Sequence, residues 1–414
     1  MPVRSARRAA MAAVTSAALA GFSLTPAAAA GHPGAVAPQA STANWSQFGF
    51  DAAHTFNNPS ETILGPGSVA GLQQKWAAPA DGRVDRSATV ANGVAYYTGN
   101  NTLYAVNAVT GSPLWNFGFV NAFFADPAVA NGIVYVGSVN GNVYALDAAT
   151  GKQVWTFTGP PNTSANYPAV VVGGVVYAAS TNGPNGTVFA LDAATGKVLW
   201  SFAATERHPT GVAVASGVVY ETTSDNNGFA GGALALNAAT GTVLWSVSSS
   251  CTVNNPGCVL TNPVVANGFL YAGSAAGTDF ARLEALNAKD GKVRWRTAAL
   301  GQDIFDWPAV ANGLVYIGVN GVNSSVQAFN ATTGKHVWTF SLPNSPGVDA
   351  PVAVANGVVY AVDENGNLFA LNASTGSKLA SISVGAASDG LPVVVNGTVY
   401  VGAIDQALHA FALT

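Results

Sequence analysis

The chain repeats itself, and the spacing of the repeat limits what it can fold into. Residues 145–155 read ALDAATGKQVW, 190–200 ALDAATGKVLW, 235–245 ALNAATGTVLW and 285–295 ALNAKDGKVRW. Looser copies stand at 105–115, 328–338 and 370–380, the last with Ala380 where the others carry Trp. A Gly followed three residues later by Tyr recurs eight times, from Gly93/Tyr96 to Gly397/Tyr400, at intervals of 39 to 51 residues. A period in the forties built of short strands is one four-stranded propeller blade per repeat. The expectation is an all-β, eight-bladed β-propeller.

Both refrains have a local mechanical reason. Six of the eight glycines follow Asn: Asn92, Asn131, Asn267, Asn312, Asn356 and Asn396. Asn-Gly between apolar runs is a strong hairpin signal, because both central residues of a type I′ turn need positive φ. The runs after each turn are almost wholly apolar, as suits strands covered on both faces. In the longer refrain the Asp or Asn side chain can accept from backbone amides ahead of it, while the Gly supplies a left-handed residue. Asp147 and Asp192 therefore read as turn formers rather than catalytic acids, since Asn fills the same slot in other copies.

The pattern Ala-x-Asp/Asn-x-x-Thr/Asp-Gly-x-x-x-Trp resembles the tryptophan-docking motif of the pyrroloquinoline quinone (PQQ) repeat family. Its members include quinoprotein alcohol dehydrogenases and outer-membrane assembly lipoproteins. The resemblance covers residues 45–414 and implies that Trp115, Trp155, Trp200, Trp245, Trp295 and Trp338 pack between neighbouring blades, against the Ala and Gly of the motif. Residues 71–76 look like the end of such a motif, ending in Trp76, with no blade before it. After residues 408–413 the chain stops one strand short. The strand around Trp76 is thus expected to complete the last blade, closing the ring and removing its open edge. Residues 45–55 resemble the family's lead-in, which implies a structural role for His54.

Ahead of the repeats, residues 1–30 read as a secretory signal: Arg4, Arg7 and Arg8, an apolar run, then Ala28-Ala29-Ala30 as a small-residue cleavage site. The alanines after Arg7-Arg8 favour the general export route over the twin-arginine one. No Cys lies near the cleavage site, so no lipid anchor is expected, and residues 31–44 read as a flexible leader. The mature protein should be a secreted, extracellular monomer, or periplasmic if the source has an outer membrane. Removing the signal takes three of sixteen basic residues and none of the twenty acidic ones, leaving a net charge of −7. Such a chain has no basic stripe for nucleic acid. Cys251 and Cys258, separated by six residues in an exported chain, read as a disulfide stapling one loop.

Nearly all length variation falls in the connections that precede each innermost strand (D–A) or join its second and third strands (B–C), such as 221–232, 248–261 and 274–281. Strand alternation puts these on one face, where binding is expected. The innermost strands begin at a funnel on that face, which gives Arg86, Asp126, Tyr167, Arg207, His208, Asn262, Asp306 and Trp307 as candidate ligand-binding residues. No metal site is expected, because the five histidines lack zinc spacing.

Two functions follow. The first is an exported, non-enzymatic propeller that binds a protein or glycan through its variable-loop face, with no cofactor. The alternative, implied by the resemblance, is a small PQQ-dependent alcohol or sugar dehydrogenase. It would place Trp307 against the quinone, Arg86 or Arg207 on a carboxylate, Asp306 as catalytic base, and Glu221 and Asp225 on a calcium ion. Against it, the sequence has no adjacent cysteine pair for the opposite wall and no haem-attachment CxxCH.

Overall fold

The Asn-Gly pairs adopt the geometry their chemistry dictates. In the computed structural model Asn92 and Gly93 have φ of 52° and 80°, and Asn131 and Gly132 have 50° and 76°. The structure describes residues 44–118, 125–161, 163–164, 167–182, 185–204, 208–224, 230–250, 259–275, 281–298, 300, 307–320, 324–342, 345, 347–348 and 350–414. Among these, the strands form eight sheets, one per repeat, seven of four antiparallel strands and one with a short fifth, Asn57–Asn58, that pairs parallel. Blade 3 is representative: strands A to D are Val170–Val172, Val175–Asn182, Asn185–Asp192 and Val198–Ala204. Blade 8 takes strands A to C from Val393–Val395, Thr398–Ala403 and Ala407–Leu413, and strand D from Leu72–Pro79. Trp76 pairs with Ala410 there, so the ring closes through a strand from the other end of the propeller, as the sequence predicts.

The two refrains converge on one atom. In blade 2, strand D (Gln153–Phe157) carries Trp155, whose Nε1 donates to the Ala193 carbonyl in the C–D turn of blade 3 at 3.0 Å. From strand B of the same blade (Ile133–Gly137), Tyr135 donates its hydroxyl to that same carbonyl at 3.0 Å. The Trp155 ring lies on Gly196, where a Cβ would stand 2.6 Å from Cε3 and where φ is +71°, so the turn tolerates only glycine. Trp115 with Tyr96, Trp200 with Tyr177, Trp295 with Tyr271 and Trp338 with Tyr316 repeat the arrangement. Ala380 is now explained. Strands C and D of blade 8 come from distant parts of the chain, so no such turn joins them, and Tyr360 is left with a buried hydroxyl that bonds nothing. Replacing Trp155 by Ala is expected to cost about 3–5 kcal/mol, as for a large buried aromatic. A chemical-denaturation measurement checks this, and a loss under about 1 kcal/mol would contradict it.

A segment with no repeat of its own fills one end of the central channel. Residues 45–58 run past all eight blades and bond to each through the penultimate residue of its strand A. Val90, Val129, Val214, Val265, Val310 and Val354 donate backbone N–H groups to the carbonyls of Trp45, Ser46, Ala52, Ala53, Thr55 and Phe56 at 2.6–2.9 Å. Val171 donates to Gln47 Oε1, and the Val394 carbonyl accepts from Asn58 Nδ2. These contacts lie two residues before each A–B turn, so the plug sits at the face opposite the variable connections. Asp51 shapes it, accepting from the Ala53 and Thr55 amides and the Thr55 hydroxyl. Glu61 extends the seal by accepting the Gly397 amide in the A–B turn of blade 8.

Blades 4 and 5 depart from the sequence reading. Strands B and C of blade 4 are Val218–Ser224 and Ala230–Asn237, its strand D runs to Ser250, and blade 5 begins with Val259–Ala266 and Phe269–Ala275. The ends of what reads as loop at 221–232, 248–261 and 274–281 are therefore strand, and the middles lie outside the described residues. Thr222, Thr223 and the serines at 246 and 248–250 look like loop composition, yet β-branched and small polar residues accept a paired strand readily.

Candidate functional site

The mouth of the channel opposite the plug is where the sequence places its funnel residues. Asp126, before strand A of blade 2 (Ala128–Ala130), is buried, and its Oδ1 accepts the Ser87 amide at 2.6 Å and the Ser87 hydroxyl at 2.7 Å. Burial pushes the Asp126 carboxyl up, with the Arg86 charge and the Ser87 bonds acting against it. Asp126 thus ties the start of blade 2 to Ser87 at the start of blade 1. Tyr167 is half-buried before blade 3. Asn262 is buried within strand A of blade 5, at φ +54°.

Across the channel, Trp307 meets the plug. Its ring lies 4.6 Å from that of Phe48 at 70°, and Phe48 also makes edge contacts with His54 and Phe56. The Trp307 Nε1 is buried with no bonding partner. His54 has only 2% of its surface exposed. Burial pulls its imidazole down to about 3, opposed by a hydrogen bond to the Pro263 backbone, so the ring is neutral and structural. Aromatic side chains of the 45–58 segment therefore pack directly against Trp307.

The sequence missed a further ion-pair cluster at this mouth. Arg83 reaches Asp85 at 2.9 Å and Asp389, in the approach to blade 8, at 2.8 Å. Burial raises the Asp85 carboxyl, and Arg83 opposes that shift. Arg83 is about half exposed, so this is a solvated rim feature worth under about 1 kcal/mol. An acidic residue two positions after an arginine was the only available signal. Its partner is three hundred residues away.

Arg207, Asp306, Asp225, Cys251 and Cys258 lie outside the described residues. Of His208, only the backbone is described, opening strand A of blade 4 (His208–Ala215) opposite Ser224. Glu221 is a correction. It is not a loop ligand but sits within strand B of blade 4, fully buried, paired in register with Val212 and Leu234. Alternation puts it on the same side as Val219, in the apolar cluster between blades 3 and 4, and neither carboxylate oxygen has a partner. Of the two cation ligands that the PQQ–calcium arrangement would use, Glu221 thus stands in an inter-blade junction rather than in a loop.

Comparison with known proteins adds the following. A family model described as "Outer membrane protein assembly factor BamB" matches residues 64–184, 140–277, 230–339 and 322–414. An outer membrane protein assembly factor BamB of Yersinia pestis is 32% identical over 170 residues, which is 38% of this chain and 41% of that one. The chain thus spans less than half of that relative. Among solved structures, quinohemoprotein alcohol dehydrogenase from Comamonas testosteroni superposes with a TM-score of 0.74 at 16% identity, covering 90% of this chain and 81% of that one. BamB from Moraxella catarrhalis gives 0.64 at 19% identity, covering 82% and 99%. At those identities the superpositions speak for the fold.

Proposed function

The chain belongs to the family described as outer membrane protein assembly factor BamB, and from that premise we propose an exported, non-enzymatic propeller that binds a partner protein through its D–A and B–C connections. The tryptophans are its blade-docking residues, and the mouth lined by Arg86, Asp126, Tyr167, Asn262 and Trp307 belongs to its binding face. The observation that carries this reading is the plug. With residues 45–58 filling the far end of the channel, one face is a uniform set of tight turns. The other presents uneven connections and the Arg83, Asp85 and Asp389 charges. Uneven connections on a rigid scaffold are where recognition resides. The dehydrogenase reading shares the fold, but the cation ligand it assigns to Glu221 is buried in strand B of blade 4 among apolar side chains.

A photo-crosslinking residue at Asp389, on the proposed face, and another at Asn131, on the turn face, test the proposal in the native host. Discrete protein adducts from 389 and none from 131 are the expected result. Adducts from 131 alone would refute the assignment of the face. Dye reduction by the protein with PQQ, calcium and simple alcohols or sugars, abolished by Asp306→Asn, would make the dehydrogenase the answer.

A further inference from the structure

At several blade junctions an aromatic pair fills the space outside the docked tryptophan. The residue two past each Trp on strand D meets the residue before the motif Ala on strand C of the next blade. Phe117 meets Tyr144 at 6.5 Å, Phe157 meets Phe189 at 5.1 Å and Phe340 meets Phe369 at 5.6 Å between ring centroids. Between blades 4 and 5 the same two places hold Val247 and Glu284, and no ring is present. What remains there is a cleft of about 220 Å³. Val247, Leu260, Leu286 and Val293 line it together with Glu284, Arg296, Lys292 and Ser248.

Glu284 is not a stray surface acid that fell into the gap. It is 1% exposed. Arg296 Nε lies 2.8 Å from Oε1 in an ion pair, and no other side chain bonds that buried oxygen among the described residues, which leaves it room for a second donor. The residue paired opposite this place on strand D is uncharged in the other repeats that carry a docking Trp: Asn116, Thr156, Ser201, Ser246, Thr339 and Ala77. Only blade 5 supplies an arginine there. The cleft is thus an aromatic-sized void with an acceptor in its wall and a guanidinium over its opening.

We propose that this cleft binds a small phenol, the ring taking the space that Phe189 or Tyr144 fills at other junctions and the hydroxyl donating to Glu284 Oε1. An apolar cavity of about 150 Å³ suffices for one benzene ring, so the volume admits a single ring and its substituent. Arg296 lies where it can cover the ring face as a cation–π partner. The hydroxyl gives the buried oxygen a second donor beside Arg296, and a hydrogen bond to a charged group is among the stronger ones.

The test is calorimetric titration of phenol, and separately of toluene, into the purified full chain. Saturable one-site binding of phenol is expected, with toluene at least about tenfold weaker because it offers no donor. Glu284→Phe restores the ring found at other junctions and should abolish phenol binding while melting no lower than the parent. Val247→Phe fills the cleft from the opposite wall, leaves Glu284 intact and should also abolish it. If neither variant folds, the indole N–H resonance of Trp245, whose ring lies on the cleft residue Gly291, reports the site in the parent protein and should shift as phenol saturates. No saturable heat with phenol, an unmoved Trp245 resonance, equal affinity for toluene, or binding that survives both folded variants would each overturn the proposal.

Discussion

A chain lacking residues 45–64 but keeping the closing strand Leu72–Pro79 is expected to melt far below the full one, or to lose its cooperative transition. Trp45, Phe48, Phe56 and Leu64 are 0–5% exposed, and they pack against strands from most of the ring. At about 1.5–3 kcal/mol for each large apolar side chain, their burial contributes roughly 6–12 kcal/mol, an upper figure because unfolded chains are partly collapsed. That range is comparable with the whole net stability of a typical domain, about 5–15 kcal/mol. Water entering the vacated end would satisfy the freed strand A amides, so these add little. A fall in melting temperature on the order of 10 °C or more is the expected calorimetric result. A truncated protein that melts with the full one would show that the ring is held by its blade junctions alone.

The second large effect concerns Glu221. Seven repeats place Tyr97, Val136, Ala178, Ala272, Ile317, Ala361 or Val401 immediately after the refrain Tyr, and blade 4 alone places an acid there. Burial with no compensating partner pushes its carboxyl up from 4.5 to about 8. Between those values the folded protein holds a proton that the unfolded chain has released. Stability therefore falls as pH rises across that window, by about 1.4 kcal/mol per pH unit at most. By pH 7 the cumulative loss is roughly 3 kcal/mol. Glu221→Ile, which copies blade 6, should recover about that much at pH 7 and flatten the decline between pH 5 and 8. Urea midpoints of parent and variant across that range decide it. Parallel curves would mean that Glu221 is charged and paired when folded.

The parts of the candidate site were unequally legible. Arg86, Asp126 and Trp307 could be placed just ahead of strands A because the repeat fixes where each innermost strand begins. Their partners could not. Ser87 bonds Asp126 across a blade boundary, Phe48 meets Trp307 from outside the repeats, and Arg83 reaches Asp389 across the ring closure. Glu221 was misplaced because loop-like composition around 221–232 hid a strand, and nothing in a single repeat says which neighbours its side chain will meet.

By itself the sequence determined the blades, their number, the hairpins and the closing strand at Trp76. Each of these rests on bonds within one repeat or between adjacent ones, and a pattern that recurs eight times states such bonds over and over. Only the tertiary structure decided that residues 45–58 plug the channel, since that segment has no repeat and its partners are scattered along the chain, Val394 lying 336 residues from Asn58. It also decided why Ala380 replaces a tryptophan and why Val247 and Glu284 leave a cleft. Those follow from which strand a closed ring happens to set beside which, and that adjacency is written nowhere in the local order of residues.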